Sequence, residues 1–342
     1  MPARPGPSNL ITDVGALEVG SAHDSAAVTG VTVIRPAAGG RAVAAVAIAG
    51  GGPGTRETDA LGADTLVDAV DAIVLSGGSV YGLAAADGVA SVLGARGQGY
   101  AMRRMPGVPV SPVVPSAILY DLANGGAKGW GETPPYRDLG IKALAACSDR
   151  FELGRAGAGF GAMAGQDRGG LGSASVVGPD GVKVGALVAV NAFGSVRMPG
   201  SDAYWAWPYE QDREFGGARP PADFRLDLDD WGAAKANPGM MAAAAAAGGR
   251  TNTTLGCIAV NVALTPAEAQ RVAKMALAGL ARAIRPVFAP FDGDVVFCLS
   301  TGEIGPTPGE PPEMRPFLLA RLGELAASSL ARAVARGVQA AR

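Results

Sequence analysis

A single histidine, His23, occurs in 342 residues, and that scarcity removes much of enzyme chemistry. A zinc site built from several imidazoles cannot be assembled within one such chain. A Ser-His-Asp triad would have to use His23, and no Gly-x-Ser-x-Gly motif supplies its serine. His23 is therefore expected on the surface or at a strand end. The three cysteines, Cys147, Cys257 and Cys298, lie far apart and form no Cys-x-x-Cys pair. They read as buried thiols of a reducing compartment rather than a disulfide framework. Long apolar runs are missing too: none approaches the roughly 18–20 residues a membrane span needs. Met1 to Leu10 lacks the basic region and apolar stretch of a signal peptide. With a formal net charge of −2, no global field favours nucleic acid or an anionic membrane. The expectation is a soluble, cytoplasmic protein with no nucleic-acid or membrane partner.

What is present is apolar residue, 48% of the chain, and glycine, 51 of them. The length suits one large domain or two smaller ones. Strand composition marks Val31–Ile34, Val43–Ala49, Ala72–Leu75, Ser116–Asp121, Val182–Val190, Thr254–Val262 and Asp294–Ser300. Helices are expected after Ser79 to about Leu93, over Lys142–Cys147, and over roughly Glu313–Gly337. Another begins at Thr265-Pro266-Ala267-Glu268, a capping box with proline at the first helical position, and runs to about Ile284. The glycine-dense stretch 154–172 cannot hold a stable helix and should turn sharply.

Two glycine turns call for a choice of reading. Ser76-Gly77-Gly78-Ser79 joins a strand to a helix, as a phosphate loop does. It lacks GxxxxGK[ST] and GxGxxG, so a tight turn allowing close packing or substrate approach is the better reading. The cluster Gly50-Gly51-Gly52-Pro53-Gly54 reads the same way. From Met198 to Gly249 the character changes, with Trp205, Trp207 and Trp231, several prolines and an alanine run at 242–247. This stretch is too long for an ordinary connection. It is a lid, an oligomer contact or a segment leading to a processing site.

With histidine scarce, the candidate to look for is a nucleophile that needs none. An N-terminal Thr, Ser or Cys uses its own α-amine as general base, and that amine titrates near pH 8, about 7.7–8.0 unperturbed. Such a residue can be generated inside a chain by self-cleavage. Asn252-Thr253-Thr254 suits this chemistry, because it lies where a polar irregular segment meets a strand. The alternative is a threonine placed there by β-propensity. Further on, Asp292-Gly293-Asp294 sets two carboxylates around a glycine just before a strand. It reads as a capped turn, as a carboxylate pair beside a reactive amine or hydroxyl, or as part of a metal site without further ligands in the sequence.

Taken together, these blocks resemble the L-aminopeptidase/D-esterase family, which includes β-peptidyl aminopeptidases and nylon-oligomer (6-aminohexanoate oligomer) hydrolases. The resemblance runs from Asn9-Leu10-Ile11-Thr12-Asp13-Val14 to Thr301-Gly302-Glu303. It passes through Gly54-Thr55-Arg56-Glu57, Leu75–Leu83, Gly154–Gly159, Gly169–Ser175, Asn191, Asn252-Thr253-Thr254 and Asp292-Gly293-Asp294. It implies an α/β (α+β) fold, a four-layer αββα sandwich over residues 1–342. That sandwich is similar to N-terminal-nucleophile hydrolases but has its own connectivity. It implies self-cleavage between Asn252 and Thr253 into an α part, 1–252, and a β part, 253–342, with αβ units assembling as tetramers. Thr253 would be nucleophile and, through its amine, base. Asn191 would donate to the oxyanion, Tyr120 would bind substrate or oxyanion, and Asp292 and Asp294 would support the nucleophile. In the β-peptidyl aminopeptidases the last pair is Ser and Glu, so Asp-Gly-Asp with Thr resembles the nylon-oligomer side. Two positions depart from the pattern. Arg168 stands where a lysine commonly precedes the Gly-Gly-Leu-Gly block, as a possible substrate or support residue, and Phe288 stands where a histidine is common.

The resulting expectation is a cofactor-free, self-processing amidase or aminopeptidase. Its substrates would be short peptides, β- or D-aminoacyl amides, or 6-aminohexanoate oligomers. An acyltransferase resembling the ornithine acetyltransferases, with the same self-generated threonine, is the alternative, and a non-catalytic binding protein is the third reading.

Overall fold

The computed structural model describes residues 2–236, 252–305 and 311–342. The alanine run 242–247 and Gly248-Gly249-Arg250 lie outside them. In chain order the strands are β1 (Leu17–Asp24), β2 (Thr29–Pro36), β3 (Ala42–Ile48), β4 (Thr55–Arg56), β5 (Ala69–Val70), β6 (Ile73–Ser76) and β7 (Ser116–Ile118). They continue as β8 (Met163–Ala164), β9 (Asp167–Arg168), β10 (Gly170–Val177), β11 (Lys183–Asn191), β12 (Thr253–Val262) and β13 (Val295–Ile304). The helices are α1 (Ala84–Ala95), α2 (Tyr136–Ala145), α3 (Pro266–Ala283) and α4 (Met314–Ala340).

Two sheets carry the architecture. One has the order β1-β2-β6-β7-β4 and the other β10-β11-β12-β13-β3-β5. Side-chain alternation decides what each sheet faces. In β12, Leu255, Cys257 and Ala259 point into the core between the sheets, where they meet Ile34, Ile73 and Leu75 of the first sheet. Ile258, Val260 and Val262 point the other way, into the core closed by Val272 and Ala276 of α3 and Leu330 and Val334 of α4. The outer face of the first sheet, with Val31, Val33 and Val74, is closed by Val89 of α1 and Leu139 of α2. The layers therefore run helix, sheet, sheet, helix. All ten residues of β12 are buried, as an apolar run covered on both faces should be.

Local signals act as expected where they are strong. Thr265 caps α3: its hydroxyl accepts from the Glu268 N–H at 3.3 Å, while the Glu268 carboxylate accepts from the Thr265 N–H at 2.8 Å. The strands β1 and β10 went unread in the sequence because polar and glycine residues break their alternation, and β4, β5, β8 and β9 because two residues carry no periodicity. β10 begins inside the glycine-dense stretch, whose remainder does turn sharply, with left-handed backbone at Gly154, Gly157 and Gly165. Met198–Lys235 holds only one short 3-10 turn, Trp207–Tyr209. It is nevertheless anchored: Tyr204, Ala206 and Phe215 sit in the core beneath α4, and buried Arg332 of α4 binds Glu214 at 2.9 Å and the Ser175 carbonyl at 2.9 Å. No helix among the described residues is long and apolar enough to cross a membrane.

Candidate functional site

Thr253 opens β12 and is paired directly with Asn191, the last residue of β11. Residues opposite one another in an antiparallel pair share a face. One residue earlier, Asn252 makes a parallel bridge to Asp292 in the loop before β13. The peptide joining Asn252 to Thr253 thus lies where the end of β11, the start of β12 and the Asp-Gly-Asp loop converge. The Thr253 hydroxyl donates to the Asn252 carbonyl oxygen. The same oxygen accepts from the backbone N–H of Gly293 at 3.1 Å. Only glycine fits there: a Cβ at Gly293 would stand 2.6 Å from Thr253 Oγ1 and 2.7 Å from the Gly52 carbonyl. The cluster at 50–54 earns its glycines against this loop as well, since a Cβ at Gly50 would stand 2.4 Å from both the Asp292 carbonyl and the Asp294 nitrogen.

Asp292 and Asp294 are both buried, yet they differ. Asp294 has both oxygens occupied, Oδ1 by the Thr254 N–H at 2.7 Å and Oδ2 by the Phe288 N–H at 3.2 Å. Asp292 Oδ1 has no hydrogen-bond partner among the described residues. Burial pushes the Asp292 carboxyl well above the usual carboxylate range, and the neighbouring Asp294 charge adds to it. The ammonium of Lys235 and backbone N–H groups act in the opposite sense. Burial raises Asp294 as well, against the N–H groups of Thr254 and Phe288. Two buried carboxylates this close do not both ionise readily, and their protons belong to the pair.

Asn191 is fixed by its amide. Oδ1 accepts from the Met163 N–H at 2.9 Å and from Asn124 Nδ2 at 3.1 Å, and Nδ2 donates to the Tyr120 carbonyl at 2.9 Å. An amide nitrogen carries a second N–H beyond that bond. Tyr120 thus touches the group through its backbone. Arg168, by contrast, has an exposed side chain. His23 is exposed at the end of β1 and stacks on Phe160 with ring centroids 4.1 Å apart. Cys257 and Cys298 are buried free thiols, and burial pushes Cys298 up to about 12.

Several members of this group went unread in the sequence. Gly293 as a backbone donor and Met163 and Asn124 as supports of Asn191 depend on contacts between distant segments, which no local pattern marks. Lys235, whose ammonium donates to Asn252 Oδ1, lies in the irregular segment and carries no motif. A separate cavity of about 580 Å³, lined by Arg197, Pro199, Asp202 and Gly232 among others, shares no residue with the group around Thr253.

The chain matches peptidase family S58 over residues 9–342. It belongs to that family. An uncharacterized aminopeptidase of Mycobacterium tuberculosis is 40% identical, covering 96% of this chain and 93% of the relative. The 6-aminohexanoate-oligomer endohydrolase of a Kocuria strain is 33% identical, covering 89% of this chain and 79% of its own. Among solved structures, the L-aminopeptidase D-Ala-esterase/amidase of Ochrobactrum anthropi superposes with a TM-score of 0.69 at 20% identity, covering all of this chain and 89% of that one. It is described as a new variant among the Ntn-hydrolase fold. A Burkholderia β-aminopeptidase has a TM-score of 0.67 at 21% identity, covering 98% of this chain and 88% of that one. This S58 member is accordingly a hydrolase of amide bonds with an Ntn-type αββα fold.

Proposed function

We propose that the chain cleaves its own Asn252–Thr253 bond and then uses the freed Thr253 as nucleophile and, through its α-amine, as base in hydrolysing small amides. The observation that carries this reading is the scissile carbonyl itself: its oxygen accepts from Gly293 N–H at 3.1 Å while the Thr253 hydroxyl lies against it. A donor already on the oxygen that becomes the oxyanion is what an acyl shift requires.

In self-cleavage, Thr253 Oγ bonds to the Asn252 carbonyl carbon, the C–N bond breaks, and the hydroxyl proton passes to the departing amide nitrogen. Asp292, whose Oδ1 has no hydrogen-bond partner among the described residues, relays that proton, while Asp294 holds the loop. Water then hydrolyses the ester, leaving an Asn252 carboxylate and a free Thr253 amine. In turnover the amine accepts the hydroxyl proton as Thr253 Oγ takes the acyl group and passes that proton to the departing substrate amine; water then releases the acid and restores the hydroxyl. Asn191 donates to the oxyanion. Tyr120 binds substrate or oxyanion, and Arg168 serves as a substrate or support residue.

The pieces 1–252 and 253–342 stay together in this scheme, because β12 and β13 lie between β11 and β3 in one sheet. Substrate candidates are short peptides, β- or D-aminoacyl amides and 6-aminohexanoate oligomers, and αβ units assemble as tetramers. The test is a panel of those amides, with and without an added amine acceptor, on wild type and Thr253→Ala. Hydrolysis by the wild type alone supports the reading. Acyl transfer to the added amine in place of hydrolysis favours the acyltransferase alternative, and activity kept by Thr253→Ala overturns both.

A further inference from the structure

We infer that Lys235 is a positioning residue for self-cleavage, holding the Asn252 side chain so that its carbonyl stays seated between Gly293 N–H and the Thr253 hydroxyl. The inference rests on the proposed self-cleavage.

The backbone around Lys235 is docked, not loose. Its own N–H donates to the Phe193 carbonyl at 2.9 Å, and the Ala233 carbonyl accepts from the Gln166 N–H at 2.7 Å. The Ala234 carbonyl accepts from Gln166 Nε2 at 3.2 Å, and Ala234 is fully buried. From this fixed strap the side chain reaches the residue on the acyl side of the scissile bond. Its Nζ donates to Asn252 Oδ1 and lies 3.5 Å from the Asn191 carbonyl. Asn191 is itself paired with Thr253. One ammonium thus ties together the acyl residue and the strand end opposite the nucleophile. A charge-assisted bond to a side-chain amide limits how Asn252 turns, and its carbonyl moves with it.

The same ammonium carries a second effect. Among the described residues, the charged groups that act on Asp292 are Asp294, which raises its proton affinity, and Lys235, which lowers it. Loss of Lys235 should leave Asp292 protonated to higher pH. Arg168 does not substitute for it, since its side chain is exposed.

The test follows self-cleavage of the full chain by gel after cell-free synthesis, across a pH series, for wild type, Lys235→Met, Lys235→Arg, Asn252→Ala and the Lys235→Met/Asn252→Ala pair. Lys235→Met should slow cleavage about ten- to hundredfold, the loss expected for a charge-assisted hydrogen bond, and move the rise in rate to higher pH. Lys235→Arg should restore the pH position but only part of the rate, because its planar fork cannot reproduce the ammonium's contacts. The paired variant should be no slower than the slower single, the signature of residues acting through one another. Thermal melts of every variant establish that each is folded. Wild-type rate and pH profile in a folded Lys235→Met, or fully additive losses in the paired variant, would overturn the inference. Failure of the wild type to cleave would instead overturn the proposed function on which it rests.

Discussion

Two buried aspartate clusters sit beside glycine turns in this molecule, and they differ in how their oxygens are satisfied. At the first, Asp121 accepts from the Thr29 hydroxyl at 2.6 Å and from the Gly78 N–H at 2.8 Å. Gly78 has a φ of +84°, and a Cβ there would stand 2.0 Å from the Tyr136 ring. The Ser76–Ser79 turn, whose composition hinted at an anion site, therefore already holds an anionic side chain of its own. At the second, a Cβ at Gly293 would stand 2.6 Å from Thr253 Oγ1, Asp292 Oδ1 has no hydrogen-bond partner among the described residues, and the Gly293 N–H points at a peptide carbonyl flanked by a hydroxyl. Burial raises proton affinity in both clusters. The difference is satisfaction: a buried carboxylate whose oxygens both have donors is a structural tie, while one with an acceptor unpartnered among the described residues, beside a hydroxyl, is placed as the proposed proton relay requires.

The largest effect expected at the second cluster is that of Thr253→Ala, which should abolish both cleavage and amide hydrolysis in a chain that still folds, as gel and product assays would register. Asp292→Asn comes next. Loss of a general base costs about a hundredfold or more, so cleavage in cell-free synthesis should be slowed at least that much. Its stability should change in the opposite sense. A carboxyl whose folded proton affinity is raised holds stability at low pH that is lost as pH climbs through its folded titration. Asp292→Asn cannot lose that contribution, so its melting temperature should fall less than that of the wild type between mildly acidic and mildly alkaline buffers. An equal fall would contradict the burial of an ionisable pair.

Gly293→Ala should slow cleavage about a hundredfold, since a displacement of about 1 Å at a reacting group costs that much; a rate unchanged in a folded variant would refute the close approach to Thr253. The smallest effect on chemistry belongs to the first cluster. Asp121→Asn removes an acceptor from either Thr29 or Gly78 and should cost about 1–3 kcal/mol of stability, measured by urea unfolding, while cleavage proceeds at close to the wild-type rate. Loss of cleavage there would erase the distinction between the two clusters.

The reach of the sequence follows the same division between local and distant contacts. The Thr265 capping box starts α3 where the motif places it, and the apolar run after Thr254 is β12, which begins one residue earlier at Thr253. In the sequence Thr253 stands out at the start of a strand and Asp292 and Asp294 as carboxylates around Gly293, whereas Asn191 enters only through the family resemblance. Their convergence was legible only through family resemblance, since it depends on β11, β12 and β13 lying side by side. Lys235 was not legible at all. A lysine in an irregular segment has no periodicity, and its position follows from Phe193 and Gln166, both distant in sequence. Tyr120 shows the converse: its side chain drew attention in the sequence, and the contact the structure gives it to Asn191 is through its carbonyl.

The most direct measurement is the mass of the purified chain under denaturing conditions, with Thr253→Ala beside it. The account predicts that the wild type yields two polypeptides, 1–252 and 253–342, that migrate as one species before denaturation, and that the variant stays whole. A wild-type chain that remains intact while hydrolysing amides at full rate would contradict it.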